Sequence, residues 1–255
     1  MRYATRASMS TGMTVFFPCY GDAGTIASMV VLAERTMRDL TDDWEIVVVD
    51  DCSPDHAAEV LDELRSHFPR LRIVSHTSNR GYGGALRSGF EAATKELVFY
   101  TDGDAQYDPR ELRRLYERLT PDVDVVNGYK LFRGDGPVRA LVGKCYHTIV
   151  SLAFGLRLRD VDCDFRLIRR SALEGIALES TSGTVCVELI KKLQDRGARF
   201  AEVGVNHYDR PFGSSQFFRP KRLVQTLGQL GALWWRLCVR PEPAVAPTEV
   251  PATES

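Results

Sequence analysis

The sequence lacks the features that mark disulfide-rich, nucleic-acid-binding and membrane-spanning proteins. Its six cysteines are scattered without a C-x-x-C pair, which argues against a zinc cluster or a disulfide framework and favours reduced thiols. Lysine and arginine number 33 against 34 acidic residues, so the basic excess of a nucleic-acid-binding protein is missing. Neither a signal peptide before Met13 nor an apolar run of about 18 residues is found. We expect a cytoplasmic protein, soluble or peripheral at the cytoplasmic face of a membrane.

The length of 255 residues suits one large α/β domain. Residues 1–12 are small and polar and predict a flexible arm. Residues 241–255 are rich in Pro, Ala, Thr and Glu and predict a disordered tail. The folded domain is therefore expected to cover residues 13–240.

Short β-branched runs alternate with helical periodicity in the first half of the chain. The predicted strands are 14–17, 45–49, 71–75, 97–100 and 123–127, and the predicted helices are 26–38, 57–67, 84–94 and 110–119. This alternation, bounded by Gly, Pro, Asp and Asn, predicts βαβ units and a parallel sheet covered by helices.

The second half is less regular, with predicted helices at 138–154, 185–194 and 223–239 and predicted strands at 165–168 and 199–205. The last helix carries an apolar stripe on one face, which favours packing against the core. The alternative is a helix that lies in a membrane interface, with Trp234 and Trp235 at the level of the lipid headgroups.

A polar, glycine-rich segment follows each of the first four predicted strands. These segments are PCYGDAG at 18–24, DDCSPD at 50–55, NRGYGGA at 79–85 and TDGDAQYDP at 101–109. In an open α/β sheet, ligands bind at the edge where the carboxyl ends of the strands meet. Four such segments at one edge predict a ligand site there.

The fourth segment holds two carboxylates in a D-x-D pattern, Asp102 and Asp104, and Gln106 continues the alternation. Oxygen ligands of this kind suit Mg²⁺ or Mn²⁺, which bind through one or two carboxylates and substrate phosphates. Taken alone, the pattern favours a solvated turn, since Asp108 and Pro109 start a helix directly afterwards.

Asp50 and Asp51 end an apolar strand, so at least one needs hydrogen-bond donors or a ligand such as a nucleobase N–H. Ser53 and Asp55 are also expected to cap the helix that begins at Ala57. The next segment fails as a dinucleotide fingerprint because Leu86 stands where that motif needs Gly or Ala. We expect it instead to allow close backbone approach and to favour an anion at a helix N-terminus.

The order of these motifs, followed by DFRL and a late R-x-x-G-x-S, resembles family 2 glycosyltransferases of GT-A fold. The nearest in pattern are the dolichol- or polyprenol-phosphate mannosyl- and glucosyltransferases, and the resemblance covers roughly Thr14 to Leu230. It implies a single Rossmann-like domain with a mostly parallel central sheet flanked by helices. Residues 13–128 would form the nucleotide-sugar-binding half and residues 129–240 the acceptor half.

The resemblance also implies roles for individual residues. Donor-binding residues would be Pro18, Tyr20, Asp22, Asp50, Asp51, Gly81, Gly83, Asp102, Gly103 and Asp104, and the metal ligands would be Asp102, Asp104 and Gln106, holding Mg²⁺ or Mn²⁺. The Gly21-Asp22 pair stands where the family usually has Asn-Glu, which leaves the base open. The metal ion would neutralise charge that develops on the diphosphate leaving group.

The acceptor side is implied by the segment DVDCDFR at 160–166, where Asp164 replaces a common Gly, and by RPFGSSQ at 210–216, where Gln216 replaces a Lys. Acceptor- or phosphate-binding residues would be Arg133, Arg139, Lys144, Arg166, Glu188, Arg210, Ser215 and Gln216. Two basic clusters, one with Lys130 and the other with Arg219, Lys221 and Arg222, suggest an anionic substrate between them. A solvated basic face is the alternative for the late cluster, and a structural role is expected for His207.

The predicted function is metal-dependent transfer of a sugar from a GDP- or UDP-sugar, with inversion, most simply to a polyprenyl or dolichyl phosphate. A lipid phosphate is already anionic and needs no protein base, whereas a hydroxyl acceptor needs one. The candidate bases are Asp160, Asp162 and Asp164, and Arg210 completes the catalytic set. A nucleotidyltransferase is disfavoured because PCYGDAG carries no basic residue. A non-catalytic nucleotide-sugar-binding subunit, a hydroxyl acceptor such as a glycan or a secondary metabolite, and a membrane partner subunit stay open.

Overall fold

A computed structural model describes residues 11–131, 137–212 and 220–240, with the backbone alone for 137–142, 144–146 and 220–224. The described strands form one seven-stranded sheet in the order β3-β2-β1-β4-β6-β5-β7. The strands are β1 (Met13–Cys19), β2 (Trp44–Asp50), β3 (Leu71–Ser75), β4 (Leu97–Thr101), β5 (Val125–Lys130), β6 (Phe165–Arg169) and β7 (Phe200–Val205). The predicted α/β class with a mostly parallel sheet is confirmed.

Helices cover both faces of this sheet. They are α1 (Ile26–Leu40), α2 (Ala57–His67), α3 (Gly81–Ala92), α4 (Leu112–Arg118), α5 (Pro137–Phe154), α6 (Arg170–Leu173), α7 (Thr184–Asp195) and α8 (Pro220–Trp234), with a 3₁₀ turn at Pro109–Glu111 and a π-helical turn at Trp235–Val239. One apolar core joins α1, α2 and α4 to the sheet, and another joins α3 and α7 to its opposite face. β1 and β2 are buried along their whole length, as continuous apolar runs require.

The direction of β6 decides which segments meet at the site. β6 runs antiparallel to both of its neighbours, whereas the pairs β1–β2, β1–β4, β2–β3 and β5–β7 are parallel. Antiparallel pairing sets Phe165, the first residue of β6, opposite Thr101, the last residue of β4. The acidic segment 160–164 therefore reaches the same sheet edge as the D-x-D loop.

The predicted element boundaries need small corrections. α3 begins at Gly81, three residues before the predicted start, and the short helix α6 was not predicted. The predicted last helix at 223–239 is α8 followed by the π-helical turn, and it packs Leu230 and Leu233 against Val150 and Phe154 of α5. None of the helices in the described ranges is long and apolar enough to cross a bilayer.

Candidate active site

The D-x-D loop after β4 is tied to the segment after β1. The Gly103 N–H donates to the Pro18 carbonyl over 3.2 Å, and the Thr25 hydroxyl donates to the Gly103 carbonyl over 2.7 Å. Asp104 accepts the Gln106 N–H at 3.0 Å, and Ala105 takes the left-handed φ of 60° within this tight turn. Asp108 caps the following 3₁₀ turn through the Arg110 N–H. The segment is a turn and Asp108 caps the next element, but the turn is not solvated, since Asp104 is 7% exposed. The turn holds Asp102 and Asp104 at the carboxyl end of the sheet.

Arg210, from the late part of the sequence, contacts carboxylates of two earlier loops at this edge. Its Nη2 lies 2.6 Å from Asp22 Oδ1, and its Nε lies 3.7 Å from Asp104 Oδ2. Both carboxylates are buried, with 6% and 7% of their residue surfaces exposed. Arg210, the first residue of the R-x-x-G-x-S pattern, and the loop after β1 therefore share one charged cluster, a contact that the motif order did not predict.

The cluster holds more negative than positive charge. Burial raises the pKa of Asp22, Asp102 and Asp104, and for Asp102 the nearby carboxylates Asp164 and Asp104 raise it further. Arg210 offsets part of this shift for Asp22 and Asp104. A divalent cation would relieve the remaining repulsion, so the oxygen donors present fit Mg²⁺ or Mn²⁺. The described residues include no group of three or more His, Cys, Asp or Glu side chains that could hold a metal ion by themselves.

Gln106, a predicted metal ligand, forms hydrogen bonds with the segment that carries Arg210. Its carbonyl accepts the Tyr208 N–H at 2.8 Å, and its side-chain amide donates to the Tyr208 carbonyl over 3.1 Å. The His207 ring packs edge-on against Tyr107 at 5.0 Å between centroids, which agrees with the expected structural role. The Phe212 ring covers Gly24, where a side chain would crowd it. The segment 206–212 thus lies across the loop after β1.

Asp51 is held internally rather than presented to a ligand. Its Oδ1 accepts the Arg80 N–H at 2.7 Å and lies 2.6 Å from His76 Nδ1, while His76 Nε2 lies 2.8 Å from the Ser88 hydroxyl. Its predicted donor contact is corrected accordingly, because the carboxylate is 2% exposed and already paired. Sequence reasoning missed His76, whose only signal is its position directly after β3.

Asp50 and Tyr20 lie at the carboxyl edge of the sheet, at the ends of β2 and β1. Asp50 accepts the Ser53 N–H at 2.9 Å, and Tyr20 is 50% exposed. The predicted cap at Ala57 comes from Asp55 alone, which accepts the Ala57 N–H at 3.2 Å. Ser53 instead accepts the Gly21 N–H and so links the loops after β1 and β2.

Gly81 and Gly83 allow a close approach, but the approaching group is the chain itself. A Cβ on Gly83 would overlap the Ser180 carbonyl, and one on Gly81 would overlap that of Thr181. Between these two glycines, the Tyr82 hydroxyl donates to Asp102 Oδ1 over 2.7 Å. Burial, and then the charge of Asp102, raise the pKa of Tyr82 well above its ordinary value, so the hydroxyl keeps its proton.

The acidic segment 160–164 is held by two basic side chains. The Lys130 Nζ lies 3.4 Å from the Asp162 carbonyl, and Arg166 Nη1 lies 3.3 Å from Asp164 Oδ1. Burial, followed by the charge of Asp160, raises the pKa of Asp162 to about 6. Two of the three candidate bases, Asp162 and Asp164, are partly exposed at the site, while Asp160 is 3% exposed.

Arg166 is not an acceptor contact in this structure. It is fully buried, and it donates to the Asn127 side chain at 2.6 Å, to the Tyr100 hydroxyl and to the Val161 carbonyl. Its guanidinium stabilises the segment before β6. The predicted phosphate contact is therefore corrected to a structural role.

Glu188 is likewise buried rather than facing an acceptor. Its carboxylate accepts the N–H groups of Glu179 and Ser180 and pairs with Lys192 and Arg236, each at 2.9 Å. Burial alone would raise the pKa of Glu188, but the hydrogen bonds from Lys192 and Ser180 lower it. The predicted acceptor role is corrected to a structural one. The other predicted acceptor residues, Arg133, Ser215 and Gln216 and the side chains of Arg139 and Lys144, lie outside the described part of the chain.

Comparison with known sequences identifies related proteins. The family model for "Glycosyl transferase family 2" matches residues 14–177. "Undecaprenyl-phosphate 4-deoxy-4-formamido-L-arabinose transferase" of Pectobacterium carotovorum is 31% identical over 210 residues, which are 80% of this chain and 62% of that protein. "Glycosyltransferase AglD" of Haloferax volcanii is 28% identical over 249 residues, 94% of this chain and 40% of that protein. The chain therefore spans about half the length of these relatives.

Solved structures share the fold. Glucosyl-3-phosphoglycerate synthase of Mycobacterium tuberculosis, in complex with phosphoglyceric acid, superposes with a TM-score of 0.69 at 20% identity, covering 95% of this chain and 87% of that one. A mannosyltransferase of Pyrobaculum calidifontis, in complex with GDP-Man and Mn²⁺, superposes with a TM-score of 0.66 at 22% identity, covering 92% and 66%. The expected GT-A fold is confirmed.

Proposed function

Since this chain belongs to glycosyl transferase family 2, we propose that it transfers a sugar, with inversion, from a GDP- or UDP-sugar to a polyprenyl phosphate. The observation that carries the proposal is the charged cluster at the carboxyl edge of the sheet. There, Asp102 and Asp104 lie with Asp22 and Arg210, which come from distant parts of the chain. A nucleoside diphosphate needs both cation-binding carboxylates and a basic side chain.

In this proposal the donor lies along the carboxyl ends of β1, β2 and β4. Tyr20 and Asp50 contact the nucleoside, and Pro18 and Gly103 shape the floor, where the two loops already touch. Asp102 and Asp104 hold Mg²⁺ or Mn²⁺, and Gln106 is the third ligand candidate. When bound, the ion supplies positive charge next to the leaving diphosphate. Arg210 supplies a second positive charge. Its guanidinium, which pairs with Asp22, can instead pair with a phosphate oxygen of the donor.

A lipid phosphate as acceptor is supported by the relatives and by the surface. The Pectobacterium relative is named for undecaprenyl phosphate. α5, α8 and the π-helical turn contain no acidic residue, although the chain has 34. The side chains of Ile149 and Leu152 on α5 are exposed, and the Trp234 indole N–H donates to the Ala153 carbonyl of the same helix over 2.9 Å. Helices that carry no acidic residue and expose aliphatic and indole groups suit an anionic bilayer, so the alternative for the last helix is retained as a peripheral membrane contact.

A hydroxyl acceptor is the second candidate, and one observation favours it. Asp162 has a pKa of about 6 and lies in the acidic segment beside the D-x-D loop, so it is able to take a proton near neutral pH. A phosphate acceptor would not need that base. The two candidates differ in their products.

Donor turnover tests the proposal. UDP-, GDP- and dTDP-sugars are incubated with Mn²⁺ or Mg²⁺, with and without a short polyprenyl phosphate, and the products are measured by mass spectrometry. We expect one donor to yield a sugar-phospholipid. Donor hydrolysis without a lipid product would favour the hydroxyl acceptor, and no turnover of any donor would favour a binding subunit. The cytoplasmic location stays a prediction, in keeping with the free thiols of the described cysteines.

A further inference from the structure

Tyr82 makes a direct contact with the D-x-D loop that the motif pattern does not assign. It lies in the first turn of α3, and its hydroxyl donates to Asp102 Oδ1 over 2.7 Å. The hydrogen bond engages one carboxylate oxygen and so restricts the orientation of the whole Asp102 carboxylate. A hydrogen bond of this kind orients a ligand and raises its affinity for a metal ion.

The backbone around Tyr82 is fixed by close packing. The Gly83 N–H donates to the Thr181 carbonyl over 3.1 Å, and the absence of side chains at Gly81 and Gly83 lets α3 abut the segment 180–181. Arg87 adds a hydrogen bond to the Ser180 carbonyl at 2.9 Å. The start of α3 therefore has little freedom to shift, which restricts the position of the phenol.

The segment 179–181 is fixed from its other side as well. Glu188 accepts the N–H groups of Glu179 and Ser180, and its charge is balanced by Lys192 and Arg236. Glu188 is fully buried while Lys192 and Arg236 are partly exposed, so these ion pairs fix the segment 179–181 and give Glu188 a structural role. Glu188 therefore stabilises the segment 179–181, which in turn packs against the start of α3, where Tyr82 lies.

We propose that Tyr82 is a positioning residue that sets the orientation of Asp102 for binding the divalent ion. The inference rests on the proposed function, because it takes Asp102 as a metal ligand. It does not require the sugar, the base or the acceptor to be known.

The test uses Tyr82→Phe, which removes one oxygen atom and adds none. Mn²⁺ binding to the full chain is measured by electron paramagnetic resonance of the free ion, with Mn²⁺ alone and with UDP or GDP added. We expect the Mn²⁺ dissociation constant to rise about tenfold in Tyr82→Phe, the usual effect of losing a hydrogen bond to a metal ligand. The melting temperature of the variant is measured alongside to show that the fold is retained.

Two controls separate the possible failures. Tyr116→Phe removes a phenol hydroxyl from a half-buried tyrosine on α4 and should leave Mn²⁺ binding unchanged. Asp102→Asn should abolish Mn²⁺ binding. If the wild type binds Mn²⁺ and Tyr82→Phe binds it equally well, the inference is wrong and the proposed function stands. If the wild type binds no Mn²⁺ with either nucleotide, the proposed function and the inference both fail.

Discussion

At the scale of single residues, the candidate site concentrates buried negative charge. Asp22, Asp102 and Asp104 have raised pKa values because they are buried, and Arg210 is the basic residue that contacts two of them. Placing like charges together costs stability, and such placement is typical of sites that bind a cation or a reacting group. Asp162 extends this charge into the acidic segment 160–164.

Asp162 predicts a measurable pH dependence of stability. Its pKa in the folded chain is about 6, above the ordinary value of 3.8, so the folded state keeps this proton to higher pH than the unfolded chain. The stabilisation is complete below pH 3.8 and is lost as the pH rises through about 6. Between pH 4 and pH 7.5, the wild type should lose about 2 to 3 kcal/mol more unfolding free energy than Asp162→Asn. Urea unfolding at both pH values measures the difference.

The control for this prediction is Asp62→Asn on α2, where the carboxylate is 70% exposed. Its unfolding free energy should follow that of the wild type across the same pH range. Parallel curves for the wild type and Asp162→Asn would show that the Asp162 carboxyl is not destabilised by burial.

At the scale of elements, the site depends on the close packing of the start of α3 against the segment 180–181. Gly83→Ala should destabilise the protein by about 1 to 3 kcal/mol, since its Cβ would overlap the Ser180 carbonyl and push α3 away. The matched control is Gly228→Ala in α8, where no atom lies within 4 Å of the added methyl. That change should stabilise the helix by about 0.5 to 1 kcal/mol. Thermal or urea unfolding checks both, and equal effects at the two positions would contradict the packing account.

The elements themselves were largely predictable from periodicity. The strands β1 to β5 and the helices α1 and α2 match the predicted segments to within a few residues, because buried β-branched runs and amphipathic spacing are local signals. The direction of β6 was not predictable, since it depends on the pairing of β6 with β4 and β5 and not on the local sequence Phe165–Arg169. That direction is what brings the acidic segment 160–164 to the D-x-D loop.

Misassigned site residues share one physical cause. Arg166 and Glu188 were assigned to the acceptor side from the family resemblance, yet both are fully buried and paired. Asp51 follows the same pattern through His76 and Arg80. Burial of a charge depends on partners that are distant in the chain. A motif alone therefore cannot distinguish a charged residue that binds substrate from one that is buried and stabilises the fold. The contact between Asp22 and Arg210 was likewise not predicted, since the two residues are 188 positions apart in the sequence.

At the scale of the whole molecule, α5 and α8 combine exposed apolar side chains with a lack of acidic residues. Leu152 is 79% exposed and Ile149 is 67% exposed, and neither helix contains an acidic residue. Leu152→Glu should therefore weaken binding to vesicles that contain phosphatidylglycerol by about tenfold, through lost apolar burial and added repulsion. Vesicle co-sedimentation measures this. Ser66→Glu on α2 adds the same charge elsewhere and should change nothing, whereas equal binding by all three proteins would rule out this surface as the membrane contact.

The central claim is that the carboxylates of the D-x-D loop act on a nucleotide-sugar with the help of a divalent ion. The most direct measurement compares donor consumption by the wild type, Asp104→Asn and the exposed control Asp62→Asn, with Mn²⁺ and after its removal by chelation. We predict that the wild type and Asp62→Asn consume one donor only with the ion present, and that Asp104→Asn is at least about a hundredfold slower, the scale of loss expected when electrostatic stabilisation of the leaving group is removed. Donor consumption that survives either chelation or Asp104→Asn would contradict the account.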